Sequence, residues 1–156
     1  MGLDSHSERA VAIVTGGSSP MGRAVALSLA RGRWSIVIVY LDQQALVEAT
    51  VEEIVAVGGT TVAVRADLAD DLDVERLFTE SIAAFGDVEV VVDTTSEKLD
   101  VLCAHAARYV RQGGLIVTPL TAKAVPAKIG AALRERGITV RRVPPQALTA
   151  SLDPWP

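Results

Sequence analysis

The residues best suited to chemistry lie early in the chain, in the run Thr15-Gly16-Gly17-Ser18-Ser19-Pro20-Met21-Gly22. The apolar Val11–Val14 before them reads as a buried parallel strand, and the glycines make a tight turn out of it. A helix then opens, with Ser18 or Ser19 as N-cap and Pro20 at the first helical position, where a missing N–H costs nothing. Strand, turn and helix N-terminus together gather free backbone N–H groups and the positive end of a helix dipole around one spot. The chemistry this supports is the cradling of an anion, phosphate above all. A glycine turn that only joins a strand to a helix has the same local sequence. The repetition of strand and helix along the rest of the chain favours the binding role.

Other polar residues stand where strands end. Asp42 follows the apolar Ser35–Tyr40, Asp67 follows Thr60–Ala66, and Asp93-Thr94-Thr95-Ser96-Glu97-Lys98 closes the run that begins at Val88. In doubly wound sheets ligands bind beyond the carboxyl ends of the strands. Asp42 could there accept a ribose hydroxyl, or simply begin a surface helix. Acid–base work at Asp93 competes with a solvated loop that caps the next helix. His105 reads as a surface or interface residue, and Cys103 as packed rather than reactive.

Positioning these groups requires six strands and five helices. The helices are expected at Pro20–Arg31, Gln43–Val57, about 70–85, Asp100–Gln112 and from Pro126 to Gly137. Glycines stop them, at Gly32, Gly58-Gly59, Gly86, Gly113-Gly114 and Gly137. The second helix is expected to turn Leu46, Val47, Thr50, Val51 and Ile54 to one face, and the third Val74, Leu77, Phe78, Ser81, Ile82 and Phe85. Strand four is expected at Val88–Asp93, strand five at Leu115–Thr118 and strand six at Ile138–Val143. Strict alternation with right-handed crossovers predicts an α/β fold: a Rossmann-like doubly wound parallel sheet in the order 3-2-1-4-5-6. Residues 10–145 form that single domain, residues 1–9 a flexible lead, and 146–156 an irregular tail whose Trp155 could pack back on it.

Composition fits one such domain. The chain has 156 residues, of which 49% are hydrophobic, enough to build a core. A net charge of −4 with no basic cluster argues against nucleic acid and anionic membranes as partners. The apolar runs are strand-sized, too short to span a bilayer, and Met1–Arg9 has no apolar core of a signal peptide. One cysteine excludes an internal disulfide and fits the cytoplasm; with two histidines it leaves little for a transition metal.

Taken together, these residues resemble the short-chain dehydrogenase/reductase superfamily, especially its 3-oxoacyl-carrier-protein reductase-like members. The family's Thr-Gly-x-x-x-Gly-x-Gly is matched by Thr15, Gly16 and Gly22, with Pro20 in place of the middle glycine. Ala66-Asp67-Leu68 looks like its adenine-contacting segment, Phe85-Gly86 with Val90–Val92 like the approach to Asn-Asn-Ala-Gly, and Arg136–Val140 like the entry to strand six. The resemblance implies NAD or NADP as cofactor, held by Gly16, Ser18, Ser19, Met21 and Gly22 at the phosphates, Asp67 and Leu68 at the adenine, and Asp42 at the ribose. Tyr40 stands nearer the family's NAD/NADP-selecting position than Asp42. Pro20 offers no N–H, which implies binding weakened by about ten- to a hundredfold.

The second half departs from the pattern. Asp93-Thr94-Thr95-Ser96 replaces Asn-Asn-Ala-Gly, and branched threonines crowd the backbone approach that small residues give. The family's chemistry takes a proton from a Tyr whose pKa is lowered by a Lys four residues on, and polarises the substrate with a Ser. Here Tyr40 ends a strand, Tyr109 has Gln112 and Gly113 near the Lys place, and no Tyr-x-x-x-Lys exists. Lys123 survives, Pro119 sits where the Tyr belongs, and Thr121 is the hydroxyl nearest the Ser. Three readings follow: a catalytically degenerate nucleotide-binding or partner subunit, an oxidoreductase or acid–base enzyme using Asp93, Thr121 and Lys123, or a cofactor-free interaction protein. The family's pairing habits imply a homo-oligomer, or a hetero-oligomer with a full-length relative, through Val101, Ala104, His105, Arg108, Ile129 and Leu133.

Overall fold

The computed structural model describes residues 9–95 and 98–148. The expected lead, the tail beyond Leu148 with Trp155, and Ser96 and Glu97 lie outside the described residues. The elements run β1 Val11–Val14, α1 Pro20–Arg31, β2 Ser35–Tyr40, α2 Gln44–Ala56, β3 Thr60–Arg65, α3 Asp71–Phe85, β4 Val88–Val92, α4 Leu99–Tyr109, β5 Val110–Pro119, α5 Ala127–Glu135 and β6 Thr139–Val143. All the strand pairings are parallel, in the order β3-β2-β1-β4-β5-β6. This is the doubly wound sheet that the alternation predicts. Its order reverses between β1 and β4, which places a crevice there.

Successive side chains of a strand face opposite sides, so the sheet makes two cores. Ala12, Val14, Ile36, Ile38, Val90, Val92, Leu115 and Val117 pack under α1 and α2. Val11, Ile13, Val37, Val39, Val91 and Ile116 pack under α3, α4 and α5 with Phe78, Leu102 and Leu133. Both faces of the central strands are dry, which is why they are runs of Val and Ile; the edge strands β3 and β6 instead alternate toward solvent with Thr and Arg. The starts of α1 and α3 follow the capping chemistry. The Ser19 side chain caps α1 through the Gly22 N–H, and Asp70 caps α3 through the N–H groups of Leu72 and Asp73.

Several boundaries differ from the expectation. α4 ends at Tyr109, not at Gln112, and β5 begins at Val110, five residues before Leu115. Val110 already pairs with Val88, and the register shifts before Leu115 meets Val90. Gly113-Gly114 is thus a bulge inside a strand rather than a helix stop. A Cβ at Gly114 would lie 2.8 Å from the Glu89 carbonyl oxygen, so only glycine lets the two strands approach. Strand β4 stops at Val92 and leaves Asp93 outside it. On α2 only Val47, Thr50 and Ile54 are buried, while Leu46 is 53% exposed. Past β6, Pro145–Ala147 forms a 3-10 turn and Leu148 is buried, so the start of the tail is ordered.

Candidate functional site

The β1–α1 turn is fixed by hydrogen bonds that its sequence allows. Gly16 adopts φ +65, a left-handed conformation suited to glycine. The Gly17 N–H donates to Val39 O at 2.8 Å, and a Cβ there would lie 2.3 Å from the Ile38 side chain. A Cβ at Gly22 would lie 2.1 Å from Gly16 O, so the first turn of α1 touches the backbone it follows. Ser19 Oγ donates to Gly16 O at 2.8 Å and accepts from the Gly22 N–H at 3.0 Å. The Gly22 amide is therefore taken within the turn. Among the described residues, the Gly16, Ser18 and Met21 amides have no acceptor in the chain, and these are the donors left for an anion.

Beside this turn lies a cavity of about 280 Å³ over the carboxyl ends of the strands. Gly16 and Ser18 form one wall, Val39, Tyr40, Leu41 and Asp42 another, Ala66, Asp67, Leu68 and Ala69 a third, and Thr95 and Lys98 close it. The structure so brings Gly16, Ser18, Asp42, Asp67 and Leu68 together. Ser19, Met21 and Gly22 stand behind the wall as cap, first-turn donor and packing contact. Asp67 is held in place: its N–H donates to Asp73 Oδ2 at 2.9 Å, and its Oδ1 accepts from the Ala69 N–H at 2.9 Å. That backbone hydrogen bond, with Arg76 beside it, holds the Asp73 carboxyl below its usual range. Arg23, next to the turn, faces away and grips both carboxylate oxygens of Glu53 at 2.7 Å.

The catalytic candidates are not assembled. Asp93 is 1% exposed. Its Oδ1 accepts from Thr15 Oγ1 at 2.9 Å and from the amide and hydroxyl of Thr95 at 3.2 and 3.0 Å; its Oδ2 accepts from Thr118 Oγ1 at 3.2 Å. Asp93 thus ties together the tips of β1, β4 and β5. Thr121 and Lys123 are exposed on the β5–α5 loop and do not line the cavity. Arg142 of β6 pins that loop through Ala122 O at 2.7 Å and Lys123 O at 2.9 Å. Cys103 lies in the core, its thiol pushed up to about 12 by burial and by the nearby Asp93 carboxylate.

Two features escape a local reading. His105 is buried, not on the surface, and Asp71 of α3 meets its Nε2 at 2.9 Å. With Leu133 in the core, two members of the expected association face are spent inside the chain. Lys98 lines the cavity although the sequence alone makes it part of a solvated loop. Its signal is its place at the start of α4, where a helix dipole disfavours a cation unless an anion is near.

A family model described as short chain dehydrogenase matches residues 10–112. The chain belongs to the short-chain dehydrogenase family. Similar relatives of that family include a hydroxynaphthalene reductase-like protein of Metarhizium anisopliae, 32% identical over 130 residues that cover 69% of this chain and 49% of the relative. A 3-oxoacyl-[acyl-carrier-protein] reductase of Synechocystis is 35% identical over 92 residues, 59% of this chain and 37% of the reductase. The chain thus spans about half the length, or less, of such curated relatives. Among solved structures, a short-chain dehydrogenase/reductase from Serratia marcescens aligns with TM-score 0.72 at 23% identity, over 86% of this chain and 73% of that one. A short-chain dehydrogenase from Burkholderia cenocepacia in complex with NADP aligns with TM-score 0.70 at 25% identity, over the same shares. Among the described residues no helix is long and apolar enough to cross a membrane, and no His, Cys, Asp and Glu group is arranged to hold a metal.

Proposed function

We propose that this chain is a nucleotide-binding member of the short-chain dehydrogenase family that does not perform the family's tyrosine-dependent carbonyl reduction, and that it serves as a nucleotide-binding or partner subunit. The observation that carries this reading is internal to the sequence. The resemblance places the Tyr and Lys between β5 and β6, and residues 120–138, which join those two strands, contain no tyrosine. Lys123, the lysine there nearest the family's motif, is exposed and outside the cavity. Asp93 is committed to three threonines in the core rather than poised beside a substrate.

Support for nucleotide binding comes from the cavity itself. Free amides of a glycine turn and Lys98 suit phosphate, while Asp42 and Asp67 suit hydroxyl and amino donors. The Burkholderia relative was solved in complex with NADP. Arg23 is committed to Glu53 and does not serve a ribose phosphate, so neither NAD nor NADP is selected by it. Titration calorimetry with NAD and NADP, together with a reduction assay on acetoacetyl thioesters, tests the reading. Binding without turnover is expected. Turnover lost in Lys123→Ala would replace this reading with catalysis by other groups, and absence of any nucleotide binding would leave an interaction protein. Light scattering with and without a full-length family member tests the partner role, and a monomer under both conditions would remove it.

A further inference from the structure

The cavity is walled by residues of the β1–α1 turn, the ends of β2 and β3, and the loop after β4; no residue of β5 or of the loop after it lines it. The reason is a stitch across the crevice at the point where the strand order reverses. Thr94 donates its amide to Thr15 Oγ1 at 3.0 Å and its hydroxyl to Thr15 O at 2.8 Å. Thr15 Oγ1 donates in turn to Asp93, which also holds Thr95 and Thr118. Thr15, Asp93 and Thr118 are all buried. The side chains of Thr94 and Thr95 press on the glycine turn so closely that a Cβ at Gly16 would lie 2.3 Å from Thr94 Oγ1 and 3.1 Å from Thr95 Cγ2. Thr94 and Thr95, held by this net, crowd the glycine turn on the side of the cavity that leads toward β5.

The open part has its own chemistry. Asp42 is exposed, and one oxygen of Asp67 is left over from the Ala69 amide, so two carboxylates line the cavity together with Lys98 and the turn residues Gly16 and Ser18. The volume of about 280 Å³ lies at the lower end of small-molecule sites, which run to roughly 300–1,000 Å³. It suits one nucleoside with its phosphates rather than two.

We infer, resting on the nucleotide-binding reading above, that the site is selective for adenine mononucleotides such as ADP, with the threonine–Asp93 stitch excluding the second nucleoside of a dinucleotide. Bound NAD is then held by its adenosine half, with its nicotinamide half outside the protein.

Saturation-transfer NMR on the unaltered protein with NAD reads this directly. Adenine protons should receive saturation and nicotinamide protons should not. Calorimetry should find ADP and NAD within about threefold of each other, and nicotinamide mononucleotide below detection. Thr94→Ala removes the hydroxyl that bonds Thr15 O and presses on Gly16 while the Asp93 bonds stay, and should raise the affinity for NAD relative to ADP by about tenfold. NAD bound tenfold or more tightly than ADP by the unaltered protein, or saturation of the nicotinamide ring, overturns the inference while the nucleotide-binding reading stands. No binding of ADP, NAD or NADP overturns both.

Discussion

The backbone of Gly22 rests on the carbonyl of Gly16, so close that a Cβ at Gly22 would stand 2.1 Å from that oxygen. Since the Gly22 amide already serves Ser19, this glycine earns its place by packing α1 onto the turn, not by donating to a ligand. The clash is with backbone, which cannot swing aside as a side chain does. Gly22→Ala is expected to cost about 1–3 kcal/mol of stability, read by urea denaturation, and to weaken nucleotide binding through a displaced turn. Wild-type stability in that variant would remove the structural role.

The buried carboxylate at Asp93 gives a graded prediction. Asp93→Ala leaves the hydroxyls of Thr15 and Thr118 buried without their acceptor, at about 1–3 kcal/mol for each unpaired group. Asp93→Asn keeps an acceptor oxygen and should cost less. Equal destabilisation by both variants would mean that charge, rather than hydrogen bonding, holds the three strand tips together.

The family and the parallel sheet were legible because the signals are local: Val and Ile runs, glycine stops and an N-cap before Pro20. What was not legible depends on partners far away in the chain. The direction of Arg23 is set by Glu53, 30 residues later, and the partner of the His105 ring is Asp71, 34 residues earlier. The glycine pair after α4 misled because Gly113-Gly114 looks like any helix stop. Only its pairing with β4 reveals a bulge. At the site, the glycine turn, Asp42 and Asp67 were legible from their places after strands. Lys98 was not, since its place at the start of α4 hints at an anion nearby but does not say which way the side chain points, and the threonine–Asp93 stitch requires three strand tips to meet.

Cys103 links burial to pH. Its thiol has an ordinary value of 9.0 and is pushed up to about 12 in the fold, so the native state holds its proton where the unfolded chain has released it. This contribution is fully present below pH 9 and is lost as pH rises from 9 toward 12, with a slope of up to about 1.4 kcal/mol per unit. Cys103→Ala should flatten that alkaline limb. Native protein at neutral pH should resist alkylation by iodoacetamide, and rapid labelling would contradict the burial.

Asp73 acts through Asp67. Its carboxylate takes the Asp67 N–H, and this bond holds its pKa below the usual 3.8. The sign is therefore opposite to that of Cys103: the contribution is present above pH 3.8 and is lost as pH falls through the lower native value. Asp73→Ala should free the β3–α3 loop and weaken ADP binding several-fold, while NMR shows the Asp67 amide losing its hydrogen-bonded shift. An unchanged ADP affinity would mean that Asp67 needs no such support.

Pro20 gives the last prediction. The structure confines the free donors of the turn to the Gly16, Ser18 and Met21 amides, because Gly17, Ser19 and Gly22 are already bonded and Pro20 has no N–H. Pro20→Gly restores one amide at the mouth of a helix N-terminus, where a charge-assisted hydrogen bond to phosphate contributes roughly 1.5–3 kcal/mol. Glycine also loosens the first turn of α1, at about 0.5–1 kcal/mol of helix stability, but Ser19 still caps it. The binding term is the larger. Calorimetry should therefore show ADP and NAD both tightening by about tenfold, with the melting temperature of the free protein slightly lowered. Adenosine, which lacks the phosphate, should bind the variant and the unaltered protein alike. Tightening of adenosine as well would mean that the proline acts on the shape of the cavity and not on the phosphate.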